Sequence, residues 1–181
     1  MQRAKLQIKK GVVILEKKFT LGIITASDKG SKGEREDLSG MLIKEMLEKL
    51  NYKTIKYIVL ADDLESLKKE MIYMADELKV DLLLTTGGTG FSKRDNTPEA
   101  TRAVVDKLAP GISEGIRYHS LQITPKAILS RAVAGIRKDT LIINLPGSPK
   151  AVKESLEYIL KPLEHGLEIL KGTASECAEK K

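Results

Sequence analysis

Apolar residues along this chain fall into short continuous runs that alternate with stretches of helical spacing. The run Phe19 to Ser27 (FTLGIITAS) is rich in β-branched residues and predicts a buried strand, and the polar, glycine-containing stretch from Asp28 to Asp37 predicts a loop. Leu38, Met41, Leu42, Met46, Leu47 and Leu50 then recur every three or four residues, which predicts a helix. In Thr54 to Leu60 the alternation of Ile55, Tyr57 and Val59 predicts a second strand. Leu64, Leu67, Met71, Ile72, Met74, Ala75 and Leu78 mark another helix, and Val80 to Leu84 leads as a buried strand into Thr85, Thr86 and a cluster of glycines. Leu141 to Leu145 (LIINL) predicts a last strand, followed by Pro-Gly-Ser-Pro and a long helix from about Lys150 to Leu170, with Gly172 at its end.

Strands alternating with helices at this spacing predict an α/β fold: three layers, with a mostly parallel central sheet and helices on both faces. Ligands of such sheets gather outside the carboxyl ends of the strands, so the loops after Ser27, Leu60, Thr86 and Asn144 are where a site is expected. Residues 19 to 172 form one domain in this reading. Residues 1 to 18 form an arm of unknown role, in which Val12 to Leu15 could pair at a sheet edge while the surrounding lysines argue for exposure. Residues 173 to 181 read as a polar tail.

Composition narrows the partners. The 181 residues, 41% hydrophobic, suffice for one core, and no apolar run approaches the roughly 20 residues needed to span a bilayer. With no secretory segment at the N-terminus, a cytoplasmic protein without membrane attachment is expected. The single cysteine, Cys177, excludes an internal disulfide or a cysteine-rich metal site. The net charge of +6 is spread as interspersed Lys and Glu, and two Phe with no Trp offer little for base stacking. A phosphate-bearing small molecule is therefore expected rather than nucleic acid.

Thr85-Thr86-Gly87-Gly88-Thr89-Gly90 carries the strongest local signal, because three glycines let the backbone turn tightly and bring N–H groups close to an anion. It matches neither the P-loop nor the dinucleotide fingerprint, and taken alone a tight turn explains it equally well. The following segment, Ser92-Lys93-Arg94-Asp95-Asn96-Thr97-Pro98-Glu99-Ala100, places cations and a carboxylate before a helix that Thr97 can cap and Pro98 can open. An anion between loop and helix start would be stabilised from both sides, which leaves Asp95 misplaced unless it binds a cation. Mg²⁺ suits that role, and Asp62, at the end of the Thr54 to Leu60 strand, is its companion candidate. Read alone, Asp62 is a cap for the helix from Leu64 onward. Thr124-Pro125 and Ser148-Pro149 repeat the helix-start signal, before Lys126 to Ala134 and before the last helix. The Pro146-Gly147-Ser148 turn and the hydroxyl of Ser130 add possible ligand contacts, while Arg131 could instead pair with a carboxylate. His119 and His165 lack metal-ligand spacing and read as surface or packing residues.

Ser27-Asp28, Asp37-Leu38-Ser39-Gly40, TTGGTGFSKRDNTPEAT at 85 to 101, ITPKAILSRAVAGIR at 123 to 137 and TLIINLPGSPKAV at 140 to 152 together resemble the MogA family, which includes the plant and gephyrin G-domains. The resemblance spans residues 19 to 172 in order. It implies a compact α/β homotrimer that transfers AMP from ATP to molybdopterin, releases pyrophosphate and passes its product to a metal-inserting MoeA-like enzyme. By the same resemblance Asp62 and Asp95 are the acidic, Mg²⁺-binding pair, and Ser27 and Asp37 contact substrate. Thr86, Gly87, Gly88, Thr89, Gly90, Ser130, Pro146, Gly147 and Ser148 complete the molybdopterin and ATP pocket. Lys93, Asn96 and Ser148 depart from residues frequent in the family. A MoaB-type trimer that binds molybdopterin without transfer chemistry is the alternative.

Overall fold

The computed structural model describes residues 19 to 173, together with the backbone of strands β1 (Leu6–Lys9) and β2 (Val12–Leu15). From β3 onward the chain runs β3 (Phe19–Ala26), α1 (Asp28–Ser31), α2 (Leu38–Lys49), β4 (Tyr52–Leu60), α3 (Leu64–Ile72), β5 (Leu82–Thr86) and α4 (Thr97–Val104). It continues through β6 (Lys107–Leu108), α5 (Pro110–Leu121), a 3₁₀ turn (Pro125–Leu129), β7 (Ala134–Arg137), β8 (Thr140–Leu145) and α6 (Pro149–Leu170). β3 to β8 form one six-stranded sheet in the order β4-β3-β5-β8-β7-β6. β4, β3, β5 and β8 pair in parallel, and β7 and β6 are added antiparallel at the far edge.

Because side chains alternate across a strand, β3 feeds two cores. Leu21 and Ile23 pack with α2, α5 and α6 through Ile43, Leu47, Ile116, Leu156 and Leu163, whereas Ile24 packs with α3 and α4 through Leu67, Met71, Ala100 and Val104. The three layers follow, as the hydrophobic pattern predicts. Both ends of α6 match their sequence signals, and α2 has a side-chain cap of its own. Asp37 accepts a hydrogen bond from Gly40 N at 2.9 Å at the start of α2, and Ser148 accepts one from Ala151 N at 3.3 Å at the start of α6. At the other end of α6, Gly172 has φ +65°, and bonds from Gly172 N to Ile169 O and from Thr173 N to Glu168 O, each 2.9 Å, close the helix.

Three expectations are corrected. The helix expected over 126 to 134 is a 3₁₀ turn followed by β7: Thr124 does cap it, but Ile128 and Leu129 are exposed, so no apolar stripe extends the turn into a helix. Val12–Leu15 does not join the edge of the main sheet but pairs with Leu6–Lys9 in a separate two-stranded antiparallel sheet. Thr97 does not cap α4, since Asn96 holds the cap position and the Thr97 hydroxyl is buried with no hydrogen-bond partner among the described residues. Cys177 and the tail beyond Thr173 lie outside the described residues.

Asn144, fully buried near the end of β8, ties the rim of the sheet to α4. Its Nδ2 donates to Thr85 Oγ1 at 2.9 Å and to Thr101 Oγ1 at 2.8 Å, and its Oδ1 accepts from Val133 N at 3.0 Å. All three partners sit where water cannot replace the amide. Asn144→Ala is expected to cost about 3 kcal/mol, the scale of leaving buried donors and acceptors unpaired, as read by urea unfolding; a loss under about 1 kcal/mol would show that the network does not brace this end of the sheet.

Candidate active site

Parallel pairing places the carboxyl ends of four neighbouring strands on one rim. The last residues of β4, β3, β5 and β8 stand side by side, with Ala26 against Leu60, Thr25 against Thr86, and Thr86 against Leu145. After β3 the chain turns toward α2 on one face, and after β5 it turns toward α4 on the other, so a crevice opens between them. A cleft of about 640 Å³ lies there, lined by Ser27, Asp37, Thr86, Gly87, Gly147 and Ser148, and also by Thr25, Arg35 and Ser39.

Many polar groups of this cleft are already committed. Ser27 accepts from Gly30 N at 3.0 Å and so caps α1. Asp37, the cap of α2, also accepts from the Tyr57 hydroxyl at 2.5 Å, and burial together with that carboxylate pushes the tyrosine pKa well up. Ser39 donates to Gly147 O at 2.8 Å and Thr86 to Pro146 O at 2.6 Å, stitching the turn after β8 to α2 and β5. Ser39 and Tyr57 were not apparent as site residues in the sequence, because their partners are separated from them by 108 and 20 residues.

The glycine loop has a geometric reason at each position. Gly87 and Gly88 both lie in the left-handed region, at φ +87° and +62°. A β-carbon at Gly87 would collide with the Ala26 carbonyl, and one at Gly88 with Asp62 Oδ1 and Thr97 Oγ1; at Gly90 it would lie 2.8 Å from Asp95 Oδ2. Gly88 O accepts from Thr97 N at 3.2 Å, Thr89 O from Arg131 N at 3.0 Å, and Gly90 O from Arg131 Nε at 2.6 Å. A trans peptide points its N–H opposite to its carbonyl, so the amides of Thr89, Gly90 and Phe91 face away from these anchors.

Asp62 is not a helix cap: its neighbour Asp63 takes that role, accepting from Ser66 N at 2.8 Å. Asp62 Oδ1 is instead buried with no hydrogen-bond partner among the described residues. Desolvation, then the charges of Asp95 and Asp28, push its pKa up to about 6, partly opposed by Arg94 and by the Asn96 backbone. Asp62 N donates to Asp28 Oδ1 at 3.1 Å, Asn96 Nδ2 donates to Asp62 O at 3.0 Å, and Asp95 accepts from Ser92 N at 3.0 Å. The three carboxylates therefore lie near one another beside the glycine loop. Among the described residues they do not close into a metal cage of three or more protein ligands.

Ser130 stands apart from the main cleft. With Thr89, Gly90 and Pro146 it lines a second pocket of about 280 Å³, which meets the main cleft at Gly147. Its neighbour Arg131 is a brace: besides Gly90 O it donates to Asp95 O at 2.7 Å and pairs with Glu99, tying the glycine loop to the segment that carries Asp95. His119 stacks on Tyr158 at 4.6 Å between ring centroids, consistent with a packing role.

The family model described as "Probable molybdopterin binding domain" matches residues 22–165. A molybdopterin adenylyltransferase of Helicobacter pylori (strain J99) is 45% identical over 162 residues, 88% of this chain and 92% of that protein. The molybdopterin adenylyltransferase of Escherichia coli K12 is 40% identical over 141 residues, 77% of this chain and 72% of that protein. In three dimensions the chain is similar to the molybdopterin biosynthesis enzyme MoaB of Thermus thermophilus, with a TM-score of 0.80 at 47% identity over 85% of this chain and 97% of that one.

Asp62 gives the site a pH signature. Its folded value of about 6 lies above the ordinary 3.8, so the protonated form favours the fold. That contribution is complete below about pH 4 and is lost as pH rises through about 6. In metal-free buffer at pH 8, Asp62→Asn is expected to melt about 2–4 °C above the native chain, corresponding to about 1 kcal/mol after allowing for water that screens a half-buried group. The two melting curves should converge by about pH 4; a difference that is the same at both pH values would contradict this electrostatic account.

Proposed function

This chain belongs to the molybdopterin-binding domain family, and we propose that it is a molybdopterin adenylyltransferase whose reaction takes place on the rim between the glycine loop and the cleft beside it. In that reaction an oxygen of the molybdopterin phosphate attacks the α-phosphorus of ATP. A new P–O–P bond forms, the bond from the α-phosphorus to the β-bridging oxygen breaks, and pyrophosphate leaves with the electron pair. The attacking phosphate is already anionic at neutral pH, so the protein has no proton to remove. Its work is positioning and charge neutralisation.

Asp62 Oδ1, buried and without a hydrogen-bond partner among the described residues, carries this reading. An uncompensated carboxylate at that depth is costly unless a cation completes it, and Asp95 lies close enough to raise its pKa. A hard cation that takes one or two protein carboxylates and fills its remaining positions with phosphate and water fits this pair better than a closed protein cage would. Asp62 and Asp95 would hold Mg²⁺, which when bound supplies positive charge to the triphosphate and the departing pyrophosphate. The outward amides of Thr89, Gly90 and Phe91 offer donors to phosphate oxygens. The 640 Å³ cleft, with Ser27, Asp37, Gly147 and Ser148 on its walls, receives molybdopterin.

A homotrimer is part of the proposal. Tyr118, Leu121, Ile123, Ile128 and Leu129 leave an exposed apolar surface at the end of α5 and the following 3₁₀ turn, which supports self-association. A cytoplasmic location and a metal-inserting MoeA-like acceptor are proposed with it. Among the described residues no helix is long and apolar enough to cross a membrane.

A MoaB-type trimer that binds molybdopterin without transfer chemistry is the second reading, because much of the cleft wall is already hydrogen-bonded and offers shape more than reactive groups. Transfer of label from ATP to molybdopterin with Mg²⁺ separates the two. The native chain is expected to turn over, and Asp62→Asn and Asp95→Asn to lose about 10²-fold or more in kcat, as when a charge-stabilising group is removed, while still binding molybdopterin. A native chain that binds molybdopterin tightly and transfers nothing is a carrier.

A further inference from the structure

Arg94 lies in the exposed segment between the glycine loop and α4, and its side chain is 62% exposed, yet it is held in one place. Its guanidinium forks onto Asp28, with Nη2 to Oδ1 and Nε to Oδ2 each at 2.7 Å. Asp28 is 38% exposed, and Arg94 holds its carboxyl below the usual range. An ion pair this open to water contributes little to stability and opens at little cost. The same planar fork that matches a carboxylate matches two phosphate oxygens.

The surroundings favour that exchange. Asp28 follows β3 and Arg94 follows β5, so the pair bridges two strand ends beside Asp62, and Asp28 Oδ1 also accepts from Asp62 N. Arg94 feels the charges of Asp28, Asp62 and Asp63. A triphosphate approaching these carboxylates would be repelled, and a guanidinium released toward it offsets part of that repulsion. Arg131 cannot serve in this way, because its nitrogens are already spent on Gly90 O, Asp95 O and Glu99.

We propose that Arg94 binds the triphosphate of the nucleotide: it is parked on Asp28 in the free protein and exchanges that carboxylate for phosphate oxygens when ATP enters. This rests on the adenylyltransferase reading, and it makes Asp28 a competitor of the nucleotide for the same guanidinium.

Calorimetric titration with MgATP, alongside steady-state AMP transfer, tests the exchange on the native chain, Arg94→Ala, Arg94→Lys and Asp28→Asn. Arg94→Ala should raise the Kd and KM for MgATP about tenfold or more, the scale of a lost charged hydrogen bond, with molybdopterin affinity unchanged. Arg94→Lys, which keeps the charge without the fork, should fall between Arg94→Ala and the native chain. Asp28→Asn should tighten MgATP binding, because it weakens the competitor. If Arg94→Ala leaves Kd and KM within about twofold of native, or if Arg94→Ala and Asp28→Asn weaken MgATP equally, the pair is a brace and the proposal is overturned. A native chain that neither binds MgATP nor transfers AMP fails earlier, and overturns the adenylyltransferase reading together with this role for Arg94.

Discussion

Two consecutive residues without side chains set the geometry on which the rest of the rim depends. Gly87 packs against the Ala26 carbonyl, and Gly88 packs against Asp62 and Thr97, in a backbone conformation with positive φ at both. A β-carbon at either position would push the loop after β5 away from the ends of β3 and β4. That close approach brings together three loops carried by adjacent strands. It also turns the loop carbonyls toward Thr97 N and Arg131, leaving the amides of the next residues on the opposite side.

The rim holds two neighbouring regions of different character. On one side the cleft is walled by hydroxyls, Asp37 and helix caps whose hydrogen bonds are largely satisfied, which makes it a shaped receptacle. On the other, Asp28, Asp62 and Asp95 crowd together, and part of their charge is left uncompensated within the protein. A rigid receptacle beside an unneutralised acidic group suits a reaction that depends on placing two anionic substrates together and cancelling charge as a bond breaks. The rigidity has identifiable sources: Asn144 fastens β8 to α4, and Arg131 fastens the glycine loop to the Asp95 segment.

Much of this was legible in the chain because the signals were periodic. β3, β4, β5 and β8 and helices α2, α3 and α6 follow from apolar runs and three-to-four spacing, and a parallel sheet then assigns their loops to one rim. α5 was not legible: within PGISEGIRYHSL only Ser113 and Ile116 are buried, so no apolar stripe marks it. The segment after Thr124 carried a true cap signal but lacked the buried face that would have made it a helix. The Asp62-Asp63 pair shows the same limit at the site. Both residues suit a cap chemically; in the fold Asp63 takes it, and Asp62 lies against Gly88 of the loop. The link between Asp28 and Arg94, 66 residues apart, depends wholly on strand order and has no local signature.

The most direct measurement is a crystal structure of the chain with Mg²⁺, molybdopterin and a non-hydrolysable ATP analogue. Molybdopterin is expected in the cleft between Ser27 and Ser148, with phosphate oxygens on the amides that follow Gly88 and a metal ion on Asp62 and Asp95. Nucleotide density elsewhere, with Asp62 still unpartnered, would contradict this arrangement.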